Sequence, residues 1–254
     1  SYIRVQVPVG SVAQSFAMFR EAGFWGVNIT IPHKFEALDA VDHLDALARV
    51  LGAVNTVAIR EDGLHGYNSD GPGFLRAVEE GFGVAAATQR VLILGAGGGA
   101  GRAVAVQCAL VGSPRILLAN RTSAKAEALK EEILSLPEVH ARTQVEVVEW
   151  SDGALSQVMS GVDLIVNGSP LGMKDGDPPL IPAASLTPAH RLFDMVYRAG
   201  GARTSLGHTA EQTGAAYVDG SLLLLHQGAI SFEHWFSQPA PLEVMRSGLM
   251  AAIR

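Results

Sequence analysis

One glycine-rich turn limits what this chain can fold into more than any other feature. Val91-Leu92-Ile93-Leu94 is an apolar run, and it leads into Gly95-Ala96-Gly97-Gly98-Gly99-Ala100-Gly101-Arg102. A helical pattern follows to about Val111. Strand, glycine turn and helix in this order match G-x-G-x-x-A through Gly95, Gly97 and Ala100. Gly95 suits the tight turn, Gly97 lets backbone approach a pyrophosphate, and Ala100 permits close packing of helix on strand. The helix N-terminus then offers N–H groups and a positive dipole end to phosphates. Ala96, Gly98 and Gly99 complete a candidate cofactor-binding loop. A tight βα turn packed for steric reasons alone is the competing reading.

The pattern around that turn gives the fold class. Strands expected at Arg90–Leu94, Arg115–Ala119, Gln144–Glu149, Asp163–Asn167, Arg191–Val196 and Ala216–Val218 alternate with helices. The helices are expected at Ser123–Leu136, Ala154–Met159, Glu211–Gly214 and Gly220–Phe236. A βαβα rhythm implies a parallel sheet covered on both faces. Before residue 85 the elements are shorter. Tyr2–Val7 reads as a strand, Gly10–Glu21 as a helix, Phe24–Ile31 as a β-rich run and Pro32–Leu38 as a helix opened by its proline. Leu44–Leu51 reads as helical. Asn55–Arg60 and Leu64–Asn68 flank Glu61-Asp62-Gly63, a hairpin signal. Asp70 suits the N-cap of a helix to Glu80. We therefore expect an α/β chain with an N-terminal α/β substrate domain at 1–82 and a Rossmann-type doubly wound dinucleotide-binding domain at 83–239. A C-terminal helix, Leu242–Ile253 within 240–254, is expected to pack back on the first domain.

The second strand of a dinucleotide fold selects the cofactor. An NAD site usually carries an acid there for the ribose 2′-hydroxyl. Here the strand ends in Asn120-Arg121-Thr122. Arg121 suits a 2′-phosphate and Lys125 adds a second cation, so NADP is expected over NAD. A solvated loop arginine is the bland alternative.

Composition excludes several other classes. The chain has 254 residues, 48% of them hydrophobic and 17% charged, so it can bury a core. Its formal charge of −6 argues against a nucleic-acid groove or an anionic membrane surface. No run approaches the ~18–20 apolar residues of a membrane span. A single cysteine, Cys108, excludes an intramolecular disulfide, fits a reducing, cytoplasmic setting, and reads as a buried core thiol. His208, His226 and His234 show no metal-ligand spacing, and no metal is expected.

A nicotinamide cofactor implies hydride transfer, and hydride transfer needs a group to handle a proton. Two polar clusters lie where β-rich runs pass into helices: Val27-Asn28-Ile29-Thr30-Ile31-Pro32-His33-Lys34 and Gly66-Tyr67-Asn68-Ser69-Asp70-Gly71. Lys34 beside Asp70 would form an acid–base pair at a substrate hydroxyl. Read alone, the same residues also suit a solvated lysine and a plain N-cap.

Further motifs sharpen this choice. GVNITIPHK at 26–34, GAVNTV at 52–57 and NSDGPGF at 68–74 resemble the signatures of shikimate dehydrogenases. GAGGG at 95–99, NRT at 120–122, DMVY at 194–197, Gly220, and Gln227-Gly228-Ala229 with Phe232 and Trp235 continue the resemblance in order. The resemblance implies reversible, NADPH-dependent reduction of 3-dehydroshikimate to shikimate in aromatic amino-acid biosynthesis. It implies Lys34 as catalytic acid/base and Asp70 as its partner at the substrate. Thr30, Asn55 and Gln227 correspond to residues that bind substrate hydroxyls, and Tyr197 to a tyrosine facing the cleft. Gly95, Ala96, Gly97, Gly98 and Gly99 correspond to the pyrophosphate loop, and Asn120, Arg121, Thr122 and Lys125 to the 2′-phosphate clamp. Met195, Val196 and Gly220 correspond to the nicotinamide wall.

The departures are specific. The resemblance leads one to expect a strand, a loop with two serines and a helix ahead of Ser1. Arg198-Ala199-Gly200 follows the tyrosine where a proline is usual, and Leu223 stands where methionine is usual. A quinate or other polyol dehydrogenase using NAD(P) is the second reading. A non-catalytic sensor of pathway intermediates is the third. The expected partner is a small molecule, with no nucleic acid and no membrane, and the chain is expected as a monomer or homodimer.

Overall fold

A computed structural model describes residues 1–254, apart from His140, Asp175, Arg254 and the side chain of Ala199. The first elements are α1 (Val12–Glu21), β1 (Gly26–Asn28), α2 (Glu36–Asp39), β2 (His43–Leu44), α3 (Ala46–Leu51), β3 (Thr56–Arg60), β4 (Gly63–Tyr67) and α4 (Asp70–Phe82). Then come β5 (Arg90–Leu94), α5 (Gly99–Leu110), β6 (Arg115–Ala119), α6 (Ser123–Ser135), β7 (Gln144–Val147) and α7 (Asp152–Val158). The chain continues through β8 (Leu164–Asn167), β9 (Arg191–Asp194), α8 (Ser205–Thr213), β10 (Ala216–Val218), α9 (Gly220–Phe236) and α10 (Leu242–Ile253).

These elements form two compact units. The first comprises Ser1–Ser69 and Gln227–Pro241, the second Asp70–His226 and Leu242–Arg254. This division differs from the expected boundaries, because α4 and α10 both group with the second unit. Phe74 and Phe82 of α4 pack edge-on against Phe193 of β9, which joins α4 to the second unit, and an ion-pair cluster joins α10 to α4. Glu80 on α4 takes the Arg246 guanidinium of α10 at 2.8 and 3.0 Å, and Nε2 of His226 at 2.8 Å. The C-terminal helix thus packs on α4, within the second unit.

The first unit is a four-stranded sheet in the order β1-β3-β4-β2. The β3–β4 hairpin pairs Arg60 with Gly63 across Glu61 and Asp62. Gly63 has φ +136°, which favours glycine, and Asp42 crowds the space where a Cβ would stand. Asp45 caps α3, accepting from Leu47 N at 2.9 Å, and Gly52 ends that helix in the left-handed conformation. Val12, Phe16, Ala37, Ala48, Val54 and Val57 form the core.

Two expected elements of this unit change. Tyr2–Val7 pairs with no strand, and Tyr2, Ile3 and Val5 are exposed. An apolar run becomes a strand only where a neighbour's N–H and C=O groups are offered to it. The helix expected from Pro32 shrinks to α2, which starts at Glu36. Residues 30–35 are a turn, with a cis Ile31–Pro32 bond, His33 N bonded to Thr30 O, and Lys34 O accepting from Val54 N. That carbonyl serves β3's lead-in rather than a helix ladder.

The second unit is a six-stranded, all-parallel sheet in the order β10-β9-β8-β5-β6-β7. From β5 the chain winds outward through β6 and β7, then returns to the other side of β5 at β8. The C-terminal ends of the paired strands β5 and β8 therefore mark a topological switch point. Val91, Leu92, Ile93 and Leu94 are all buried, as a central strand covered on both faces requires. β7, at the edge, buries Val145 and exposes Gln144. Arg90 clasps Asp163 at 2.7 and 2.9 Å, tying the N-terminal ends of β5 and β8. Helix α8 begins at Ser205, six residues ahead of the expected Glu211, because Thr204 caps it through Gly207 N at 3.1 Å.

Candidate active site

In the second unit, the C-terminal ends of the parallel strands gather the expected cofactor residues. At β5, Gly95 (φ +78°) turns the chain, and its N–H donates to Ala119 O at 2.8 Å. A Cβ at Gly95 would press on Ser169 backbone at 2.8 Å. A Cβ at Gly97 would stand 2.6 Å from Lys125 Cβ, and Gly97 N–H donates to Asn120 Oδ1 at 3.3 Å. Asn120 Nδ2 donates to Thr122 O at 2.9 Å. The pyrophosphate-type turn and the β6 end are therefore one hydrogen-bonded piece, with Arg121, Thr122 and Lys125 exposed on its rim.

The close-packing residue differs from expectation. Ala100 is exposed. Gly101 takes the role instead, since a Cβ there would meet Gly95 O at 2.4 Å. The cause is helix phase: α5 starts at Gly99 with Gly98 before it, which turns the next residue, Ala100, outward and Gly101 onto β5. A Cβ at Gly99 would meet nothing, and one at Gly98 nothing closer than 3.4 Å. That open space sits over first-turn N–H groups that lack intrahelical acceptors, and it fits a dinucleotide phosphate.

The β9 end brings Met195, Val196 and Gly220 together. Gly220 N–H donates to Val196 O at 3.2 Å, and a Cβ at Gly220 would strike Met195 O at 2.3 Å. Only glycine lets α9 start against this wall. Tyr197 follows and is exposed.

Sequence reasoning missed the group that holds this wall. Asp194 is fully buried. Its carboxylate accepts from Thr204 Oγ1 at 2.6 Å, Asn167 Nδ2 at 2.8 Å and Val196 N at 3.1 Å. Burial nevertheless raises its pKa to about 6, because desolvation outweighs those hydrogen bonds. Thr204 Oγ1 also meets the Tyr217 hydroxyl at 3.0 Å, and burial raises the Tyr217 pKa as well. The DMVY motif contained Asp194, but burial of an aspartate leaves no trace in a single sequence.

The first unit assembles the other set. Lys34 O receives Val54 N at 3.0 Å, and Ile29 N reaches Asn55 O at 2.8 Å, so the 26–34 and 52–57 motifs lie side by side. Asn55 is buried; its Oδ1 accepts from Ser69 N at 2.8 Å and Thr56 Oγ1 at 3.0 Å. Ser69 Oγ lies 3.4 Å from Gln227 Oε1, which links Asn55 to α9. Thr56 Oγ1 meets Ser231 Oγ at 2.8 Å, and Asn28 Nδ2 donates to the same Ser231 oxygen at 2.8 Å. Thr56, Ser231 and Asn28 were not among the expected site residues. Thr30 is exposed in the turn at 30–35 and Lys34 is half-buried. Asp70 belongs to the second unit, as the first helical residue of α4 rather than a cap ahead of it. Cys108 is buried, as expected, and its thiol is pushed up to about 12.

The geometry defines a class: an α/β protein with a Rossmann-type dinucleotide-binding unit and a smaller α/β unit carrying lysine, amide and hydroxyl groups. Residues 1–57 match the family model of the shikimate dehydrogenase substrate binding domain. Residues 223–249 match the shikimate 5′-dehydrogenase C-terminal domain, and residues 91–177 match a saccharopine dehydrogenase NADP binding domain. A shikimate dehydrogenase (NADP(+)) of Desulforamulus reducens is 36% identical over 98% of this chain and 84% of its own length. A crystal structure of shikimate dehydrogenase in complex with NADP+ aligns with TM-score 0.84 at 32% identity, covering 98% of this chain and 84% of that one. A quinate dehydrogenase from Corynebacterium glutamicum, in complex with NAD, aligns with TM-score 0.85 at 29% identity over 98% of this chain and 85% of that one. The chain belongs to the shikimate dehydrogenase family.

Proposed function

We propose that this protein catalyses the reversible, NADP-dependent interconversion of 3-dehydroshikimate and shikimate. The observation that carries the reading is the relationship to a shikimate dehydrogenase (NADP(+)) over nearly the whole chain. The second unit holds the dinucleotide: Gly95–Gly99 at the pyrophosphate, Asn120, Arg121, Thr122 and Lys125 at the 2′-phosphate, Met195, Val196 and Gly220 at the nicotinamide. The lack of an acid at the end of β6 supports NADP over NAD.

NADPH, when bound, supplies the hydride to the substrate carbonyl carbon. Lys34 donates a proton to the carbonyl oxygen, so the products are the alcohol and the neutral lysine. Asp70 accepts a hydrogen bond from the reacting group and orients it. Asn55, Thr30 and Gln227 recognise the ring hydroxyls, and Tyr197 borders the bound molecule. Amides and hydroxyls committed to a buried network reject an analogue lacking a matching hydroxyl, because a polar group is then left unpaired. The enzyme acts in the cytoplasm, in aromatic amino-acid biosynthesis, as a monomer or homodimer. No helix among the described residues is long and apolar enough to cross a membrane.

Steady-state kinetics over a grid of shikimate and quinate against NADP and NAD tests this reading. Highest kcat/KM with shikimate and NADP is expected. A preference for quinate and NAD would favour the second reading, which the likeness to a quinate dehydrogenase motivates. Ligand binding without turnover on any pair would overturn both.

A further inference from the structure

Two imidazoles and a carboxylate converge in the first unit, apart from every residue assigned above. His43 on β2 sits directly opposite His65 on β4 in the parallel register, so both side chains leave the same face of the sheet. Their rings lie 4.4 Å apart, tilted by 30°. Asp62, in the hairpin turn, accepts from His65 Nε2 at 2.9 Å through Oδ1, and its backbone oxygen lies 3.2 Å from His43 Nε2. One ligand atom from each of the three side chains falls within 4.8 Å of the others. The turn is held for this: Asp42 Oδ2 accepts Leu64 N at 2.8 Å and crowds Gly63.

We propose that His43, Asp62 and His65 form a binding site for a borderline divalent cation such as zinc, nickel or copper. Two imidazole nitrogens and one carboxylate oxygen are the donor set such ions favour, whereas magnesium and calcium favour all-oxygen sets. Ligand atoms about 2.1 Å from a tetrahedral ion stand roughly 3.4 Å apart. The His65–Asp62 pair is already that close, and His43 is exposed, so a side-chain rotation closes the site without moving the strands. Three protein ligands leave a fourth position for water. The ion would staple β2 to both the turn and β4, adding a cross-link to a two-residue strand at the edge of the sheet.

The test uses EDTA-treated full chain. Equilibrium dialysis against about 100 μM zinc should give one ion per chain, and thermal unfolding should shift upward by roughly 2–4 °C. The same concentration of magnesium should give neither effect. His43→Ala and Asp62→Asn should each lower the zinc affinity at least tenfold while dehydrogenase kinetics without added metal stay unchanged. His65→Gln, which keeps a polar group at the site, should do the same and guards against misfolding of an alanine variant. No binding at 100 μM, or binding of the same stoichiometry and affinity in all three variants, would overturn the proposal.

Discussion

Asn55 receives the backbone N–H of Ser69 on its side-chain oxygen at 2.8 Å, with both residues buried. The bond joins the lead-in to β3 to the last residue before α4, and so fixes the position of Asn55. Asn55→Ala leaves the Ser69 N–H and the Thr56 hydroxyl without this acceptor, which costs about 1–3 kcal/mol. Asn55→Asp keeps the acceptor but loses the Nδ2 donation to Ser69 Oγ at 3.0 Å and buries a carboxylate where a neutral amide stood. Urea unfolding should therefore place both variants below wild type. The substrate KM should rise in both variants, since the proposed amide donor is gone from each.

Lys34→Ala should lower kcat by about 10²–10⁴, the usual scale for removing a general acid. Dinucleotide affinity, measured by fluorescence titration, should stay near wild type. A change in KM alone would contradict the assigned role.

The glycines of the turn separate by what their missing Cβ would meet. Gly101→Ala places a carbon against Gly95 backbone oxygen, and an overpacked site of this kind costs about 1–3 kcal/mol. Gly99→Ala opens onto space and gains helix propensity of up to about 1 kcal/mol. Calorimetry should find Gly101→Ala less stable than wild type and Gly99→Ala at least as stable. Gly99→Ala should still raise the cofactor KM, because its methyl occupies the phosphate space.

Arg121→Ala should raise the KM for NADP by about 10–100-fold, the scale of losing a charge-assisted hydrogen bond to phosphate. The KM for NAD should change little. Equal effects on both cofactors would show that Arg121 does not read the 2′-phosphate.

Asp194 makes stability fall as pH rises. Its folded pKa of about 6 lies above the ordinary 3.8, so between these values the native state holds a proton that the unfolded chain releases. The contribution is fully present below pH 3.8 and lost as pH rises through about 6. The difference amounts to on the order of 3 kcal/mol. Asp194→Asn removes it. Unfolding free energies at pH 4 and pH 7 should show wild type losing ground to the variant, and a shift in the variant's disfavour would refute this.

Legibility followed physical range. The Val91–Leu94 run, the turn after it, α9 and α10 depend on short-range pattern, and the expected bounds Gly220–Phe236 and Leu242–Ile253 are those observed. The Lys34 and Asn55 motifs were readable as strings, yet their adjacency rests on Val54 N meeting Lys34 O. Asn28 and Thr56 lay inside those motifs with no role of their own, and Ser231 lay outside them, because hydroxyls and amides are common everywhere and only burial makes them a network.

Local sequence by itself determined the parallel α/β pattern, the glycine turn and the cation at the end of β6, since each follows from residue type and spacing along one stretch of chain. Tertiary structure decided what those stretches meet. It gave the close-packing role to Gly101 rather than Ala100, grouped α10 with α4 through Glu80, left Tyr2–Val7 unpaired, and raised the pKa of Asp194. The Glu80–Arg246 pairing joins residues distant in sequence, and Asp194 feels Asn167 and Thr204 together with the exclusion of water, whereas the Gly101 role follows from where α5 starts relative to Gly95.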